Sequence, residues 1–277
     1  MGAVRIRIPD NFSKTLNTQS AYDIRMLTIG LLGCGNIGNI IVKNHVGVDI
    51  VALFDQMPAR AEELGRLCHA KAFGDIEDFL SEDFDLVVEA ASVSAAQEYA
   101  LSVLEHGKDL VVMSVGAFAD DDFREEITER ARALGRRIHI PSGAIFGLDN
   151  LKIGQISGIT KLLLKTTKNP RSLNMTCTER TLLFSGQANE CIKHYPKNTN
   201  VSVALELAAG RTVEVELWAD PDVDRNVHEI VIEGDFGEAT ITVRNLPSPD
   251  NPATSYLAAL SIITLLKNLS EPMRIGT

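Results

Sequence analysis

The chain has no CxxC pair, and none of its four cysteines (Cys34, Cys68, Cys177, Cys191) stands at metal-ligand spacing from a histidine. A zinc module and a disulfide framework are thereby excluded, and four free thiols suit a reducing compartment. No apolar run reaches the roughly 18–20 residues that a membrane span requires. Met1–Arg25, with Asp10, Asp23 and no apolar stretch, does not read as a secretory signal. A cytoplasmic location is therefore expected. Basic residues are in deficit: 27 Lys and Arg against 37 Asp and Glu leave a formal net charge of -10. A nucleic-acid partner wants a concentrated basic surface, so that class is excluded, whereas a small acidic substrate needs only a few local cations. Internal repeats and low-complexity tracts are missing too.

What remains is an ordinary globular composition, 45% hydrophobic and 23% charged, over 277 residues, enough for two domains. Residues 1–25 form an extension without clear periodicity. From Met26 the pattern alternates. Leu27–Leu32, Asp49–Phe54, Lys71–Phe73, Asp85–Val88, Leu110–Met113 and Arg137–Ile140 read as buried strands. Between them, Asn36 to about His45, Arg60–His69, Ile76–Leu80, Ala95–His106 and Asp120–Leu134 read as helices, with Gly107 and Gly135 as C-terminal caps. This alternation predicts a doubly wound parallel sheet over residues 26–141.

The rhythm changes after Pro141. Lys161–Thr167, Thr176–Phe184, Thr212–Trp218, Glu229–Glu233 and Ala239–Arg244 are rich in β-branched residues and predict a second sheet, covered on one face by helices. Residues 142–250 are read as a mixed α/β substrate and catalytic domain. Residues 251–277 hold an apolar helix, Tyr256–Leu269, after the turn-forming Pro247, Pro249 and Pro252; its packing partner is left open. The fold class is thus α/β, a Rossmann domain followed by a mixed sheet domain.

Gly33-Cys34-Gly35-Asn36-Ile37-Gly38 is a G-x-G-x-x-G between a strand and a helix. Gly33 permits the tight turn, Gly35 lets the backbone approach a pyrophosphate, and Gly38 allows close helix–strand packing. Asp55 ends the next strand, where a carboxylate accepts from a ribose 2′-hydroxyl and repels a 2′-phosphate. NAD is therefore the expected cofactor. Arg60 keeps NADP open, through an alternative pose beside a 2′-phosphate; its plainer reading is a solvated helix residue.

Several segments together resemble the L-aspartate dehydrogenase family, particularly its archaeal-like members. Beside Gly33–Gly38 they are Glu89-Ala90-Ala91-Ser92, Ser114–Asp120, Pro141–Asp149, Lys165–Lys168, Tyr195–Val201, Arg225–Ile230 and Asn251–Tyr256. The resemblance runs from about Met26 to Gly276; only the extension before Met26 departs from it. It implies NAD- or NADP-dependent oxidation of L-aspartate to iminoaspartate, which hydrolyses to oxaloacetate and ammonia or feeds NAD biosynthesis. It also implies a homodimer, cofactor contacts at Ala144 and Asn200, and His228 as the catalytic histidine.

Of the six histidines, His45, His69 and His106 fall near helix ends and suit surface or capping roles, and His139 suits the core. His194 is a second candidate for the cleft. His228 stands beside a polar, acid-rich turn that leads into a strand. Amine oxidation asks for a group that takes a proton near neutral pH, which a histidine does. Lys168, Lys197 and Arg225 are candidate partners of the substrate carboxylates, and Ser142, Thr166 and Thr167 candidate hydroxyl donors. Asp220-Pro221-Asp222-Val223-Asp224 imitates a calcium loop, but Arg225 replaces its glycine and Val231 its bidentate glutamate, so no metal is expected. Two rival readings stay open: a related amino-acid-pathway reductase, such as a homoserine dehydrogenase or a dihydrodipicolinate reductase, and a non-catalytic dinucleotide sensor.

Overall fold

Short apolar runs, closed by turns and alternating with helices, can bury both faces only in a parallel sheet flanked by helices. The computed structural model, which describes residues 26–195, 199–248, 251–273 and 275, has that arrangement. Strands β1 (Leu27–Leu32), β2 (Val48–Phe54), β3 (Lys71–Phe73), β4 (Leu86–Glu89), β5 (Asp109–Val112) and β6 (Ile138–His139) form one sheet in the order β3-β2-β1-β4-β5-β6. Every pairing in it is parallel. The winding direction reverses between β1 and β4, which opens a crevice at their C-terminal ends.

The intervening helices are α1 (Asn36–Asn44), α2 (Pro58–Cys68), α3 (Ile76–Ser81), α4 (Val93–Glu105) and α5 (Asp121–Leu134). Asp75, Ser92 and Asp120 cap α3, α4 and α5 with their side-chain oxygens, and Gly135 ends α5 in the left-handed conformation. Pro58 opens α2 at a position where no N–H is needed. A short 3-10 turn, Val115–Ala119, follows β5. One face of the sheet buries Phe54, Phe79, Leu104, Phe118 and Ile127, and the other buries Ile29, Leu31, Ile41, Leu53 and Val111.

The second half adds α6 (Leu148–Leu151), β7 (Ile159–Lys168), β8 (Thr181–Gln187), α7 (Ala188–His194), α8 (Thr199–Ala209), β9 (Glu214–Ala219), β10 (Val227–Gly234) and β11 (Gly237–Arg244). Its five-stranded sheet runs β11-β10-β7-β9-β8, with β7 and β9 parallel and the other pairs antiparallel, so it is mixed. α6, α7 and α8 supply Leu151, Cys191, Leu205 and Ala209 to the core on one face. The other face carries the cross-strand ion pairs Lys161–Glu233 and Lys165–Glu229. α8 belongs to two cores: Val203 and Ala204 pack with the first sheet, Leu205 and Ala208 with the second.

Strands β12 (Pro247–Ser248) and β13 (Asn251–Ser255) make a small hairpin where only turns were expected. The final helix α9 (Tyr256–Ser270) returns to the first sheet and buries Ile262 and Leu266 beside Ile41 and Val42. Most strands of the second sheet differ from expectation by a residue or two at their ends, and two of the differences matter. β8 begins at Thr181 rather than Thr176, and β10 begins at Val227 rather than Glu229, which places His228 inside the strand instead of in the turn before it.

Candidate active site

The turn after β1 is built for glycine. Gly33 has φ +104°, and a Cβ there would lie 2.7 Å from the Ala90 carbonyl carbon. A Cβ on Gly38 would run into the Gly33 carbonyl oxygen, whereas one on Gly35 meets nothing within 4 Å. The loop is thus closed behind and open in front. No side chain caps α1 and no acid stands in its first turn, so its N-terminal N–H groups are aimed at that opening. A dinucleotide pyrophosphate fits this cradle in shape and charge.

Asp55 follows β2 and holds the loop. Its Oδ2 accepts from Cys34 N at 2.8 Å and its Oδ1 from Met57 N at 2.8 Å. Each oxygen keeps a further lone pair for a ribose hydroxyl. The adjoining hollow, about 200 Å³, is lined by Gly33, Gly35, Asp55, Gln56, Arg60 and Ser92. Arg60 is therefore on its rim, not only on a solvated helix face. Cys34 is buried, and burial first, then the Asp55 charge, pushes its thiol up to about 12. It packs the loop and is no nucleophile at neutral pH. Asn36 Nδ2 donates to Ser248 Oγ at 3.3 Å and ties the loop to β12. Ile37, half-buried, packs against the core beneath α1.

A second hollow of about 260 Å³ lies between the two sheets, lined among others by Ser142, Ala144, Lys168, Asn200, Asn226 and His228. Met113 and Val115, beyond β5, form its wall on the side of the first sheet. Asn200, in the first turn of α8, accepts from Gly116 N at 2.9 Å through Oδ1. Asn245 was not singled out in the sequence. It is buried, donates through Nδ2 to the Ala144 carbonyl at 3.0 Å, and accepts from Ser255 Oγ at 2.8 Å. Gly143 N donates to Ser261 Oγ on α9 at 3.0 Å. The 141–147 loop is thus pinned from two sides.

His228 is 6% exposed. Its Nδ1 lies 3.0 Å from Thr166 Oγ1 across the β7–β10 pair, which leaves Nε2 as the nitrogen available to the hollow. Burial, and then the Lys168 charge, push its pKa from 6.5 to about 4. The imidazole is therefore neutral at neutral pH, below the near-neutral value the chemistry suggested.

Other candidates separate cleanly. Thr167 faces a different hollow, with Lys165 and Arg180. Arg225 pairs with Asp224, and Lys197 lies outside the described residues. His194 sits on α7 with its ring 6.5 Å from that of Phe184 and does not line the second hollow. His45 and His106 bond to carbonyls of their own helices, at 2.9 and 2.8 Å. Among the described residues, no group of three or more His, Cys, Asp or Glu is placed to hold a metal, and no helix is long and apolar enough to cross a membrane.

Residues 149–269, which carry Lys168, Asn200, Asn226 and His228, match the family model described as aspartate dehydrogenase, C-terminal. Residues 33–141 match the one described as homoserine dehydrogenase, NAD binding domain. The L-aspartate dehydrogenase of Methanospirillum hungatei is 60% identical over 91% of this chain and 100% of its own length. The chain belongs to the L-aspartate dehydrogenase family. The L-aspartate dehydrogenase of Methanothermobacter thermautotrophicus is 45% identical over 91% of this chain and 99% of its own length. The crystal structure of aspartate dehydrogenase from Thermotoga maritima superimposes with a TM-score of 0.77 at 29% identity, covering 90% of this chain and 99% of that one. The homoserine dehydrogenase match is to an NAD-binding domain, and the half that carries His228 matches the aspartate dehydrogenase model.

Proposed function

We propose that this protein oxidises L-aspartate to iminoaspartate with NAD, and with NADP as a poorer alternative. The observation that carries the reading is the shared cavity of His228, Lys168, Asn200 and Ala144 beside a glycine loop held by Asp55. Gly33, Gly35, Asn36, Ile37 and Gly38 would hold the pyrophosphate, Asp55 the adenosine ribose, and Ala144 and Asn200 the nicotinamide end. When bound, the nicotinamide supplies the hydride acceptor.

His228 then acts as the proton carrier. It enters the reaction neutral, with Thr166 pinning Nδ1, so Nε2 is ready to accept a proton from the substrate amine. Lys168 disfavours the imidazolium in the free protein. A substrate with two carboxylates brings negative charge into the same cavity and offsets that effect, so basicity rises when the right substrate is in place. Ser142 and Asn226 line the same cavity and are suited to hydrogen-bond a carboxylate. Family analogy also supports a homodimer, a cytoplasmic location and a product that feeds NAD biosynthesis; sedimentation equilibrium tests the first of these.

A panel of L-aspartate, L-homoserine and other amino acids, followed by the absorbance of the reduced nicotinamide, tests the substrate. Turnover of aspartate above the rest is expected, and a preference for another compound overturns the reading. His228→Ala should retain NAD affinity and lose about 10²–10⁴-fold in turnover.

A further inference from the structure

β4 is an interior strand whose last residue is a carboxylate. Glu89 is 1% exposed and follows the fully apolar Leu86-Val87-Val88. Burial raises the pKa of its carboxyl, and hydrogen bonds to it pull the other way. Three donors meet the carboxyl oxygens. Oε1 accepts from Ala91 N at 2.8 Å and from Ser114 Oγ at 2.8 Å, and Oε2 accepts from Ser114 N at 2.9 Å.

The identity of those donors is what matters. Ala91 belongs to the turn between β4 and α4, and Ala90, Ala91 and Ser92 line the adenosine-side hollow. Ser114 belongs to the turn after β5, and its neighbours Met113 and Val115 line the reaction cavity. Two residues further on, Gly116 N donates to Asn200 on α8. One buried carboxylate therefore joins both walls of the cleft and, through the 114–116 turn, the helix that carries Asn200.

Resting on the functional reading above, we infer that Glu89 is a positioning residue: it sets the 113–116 turn against the reaction cavity from the adenosine side. It touches neither hollow, so it acts through Ser114 and Ala91. An apolar residue would fill the space but orphan two backbone N–H groups at the edge of the cleft. An amide would turn its own NH₂ against one of them.

Glu89→Gln tests this with three readouts. Turnover should fall about 10- to 100-fold, the scale of a small misplacement of reacting groups. The KM for aspartate and the NAD Kd of the binary complex, from fluorescence titration, should stay within about threefold. Amide exchange at Ala91 and at Ser114–Gly116 should quicken in the cofactor-free protein. Unchanged turnover overturns the inference, and so does a loss of turnover matched by an equal loss of NAD affinity. If Glu89→Gln does not fold, Ser114→Ala, which removes one donor only, should lower turnover several-fold with the same split; unaltered turnover there also overturns it. Should the parent fail to oxidise aspartate, the functional reading falls, and exchange at 91 and 114–116 alone decides for or against Glu89.

Discussion

His228 allows a prediction in which stability, not turnover, reports the site. The folded protein binds a proton at this imidazole only near pH 4, because burial and Lys168 oppose the charge. The unfolded chain binds it at the ordinary 6.5. Acid therefore favours the unfolded state. The contribution of His228 to stability is complete above the unfolded value and is lost as pH falls from 6.5 toward about 4. At about 1.4 kcal/mol per pH unit the full loss is about 3.5 kcal/mol, and about 2.5 kcal/mol of it is gone at about pH 4.5. His228→Asn removes the titrating group but keeps a polar side chain opposite Thr166. Urea unfolding of both proteins at equal concentration, at about pH 7.5 and about pH 4.5, cancels every other titration they share. The parent should lose about 2.5 kcal/mol more than the variant between the two pH values. Equal losses would mean that His228 titrates alike in both states, and the electrostatic account of the site would be wrong.

Asp55→Ala removes an acceptor from both Cys34 N and Met57 N. It should weaken NAD use, raise the NADP to NAD ratio in steady-state kinetics, and cost about 1–3 kcal/mol in urea unfolding. Lys168→Met should raise the KM for aspartate about 10- to 100-fold, the worth of one charge-assisted hydrogen bond. In the same variant the His228 resonance should titrate at a higher pH than in the parent by NMR, since one depressing charge is gone. A chain beginning at Met26, where β1 is about to start, should fold and keep its turnover; soluble yield and an aspartate assay decide that.

The nucleotide half is legible because its signals are local. Gly33 and Gly38 answer to backbone geometry within one turn, and Asp55 holds that same turn from the end of the next strand. Capping residues such as Asp120 and Gly135 mark helix ends within a few positions. The second half is harder. α8 is buried on two sides, by Val203 and Ala204 in one core and Leu205 and Ala208 in the other, so it lacks the one-sided stripe that reveals a surface helix. The β12–β13 hairpin carries prolines that read as turns, yet Pro247 can open an edge strand where no N–H is needed.

Within the site, the residues proposed to bear chemistry are visible in the sequence, whereas the contacts that place them are not. His228 and Asn200 stand in motifs that the family resemblance singles out. Thr166, Asn245 and Glu89 act by contacts 62, 101 and 25 positions away in the chain, and no local pattern encodes such distances. The same separation explains the pKa of His228. Its sequence neighbours Asn226 and Glu229 suggest a polar, ordinary histidine, but burial in the fold depresses it first, and then the Lys168 charge, brought from β7 by the β7–β10 pairing. That pairing puts Thr166 opposite His228, and Lys168 two residues beyond it on the same face of the sheet. A strand register, set by the alternation of buried Leu162 and Leu164 with the paired Lys161 and Lys165, thereby fixes both the ring nitrogen that is free and the charge that tunes it. A one-residue slip of β7 would exchange Thr166 for Lys165 or Thr167 and turn Lys168 to the outer face. The core residues that specify the sheet also specify the state of this histidine.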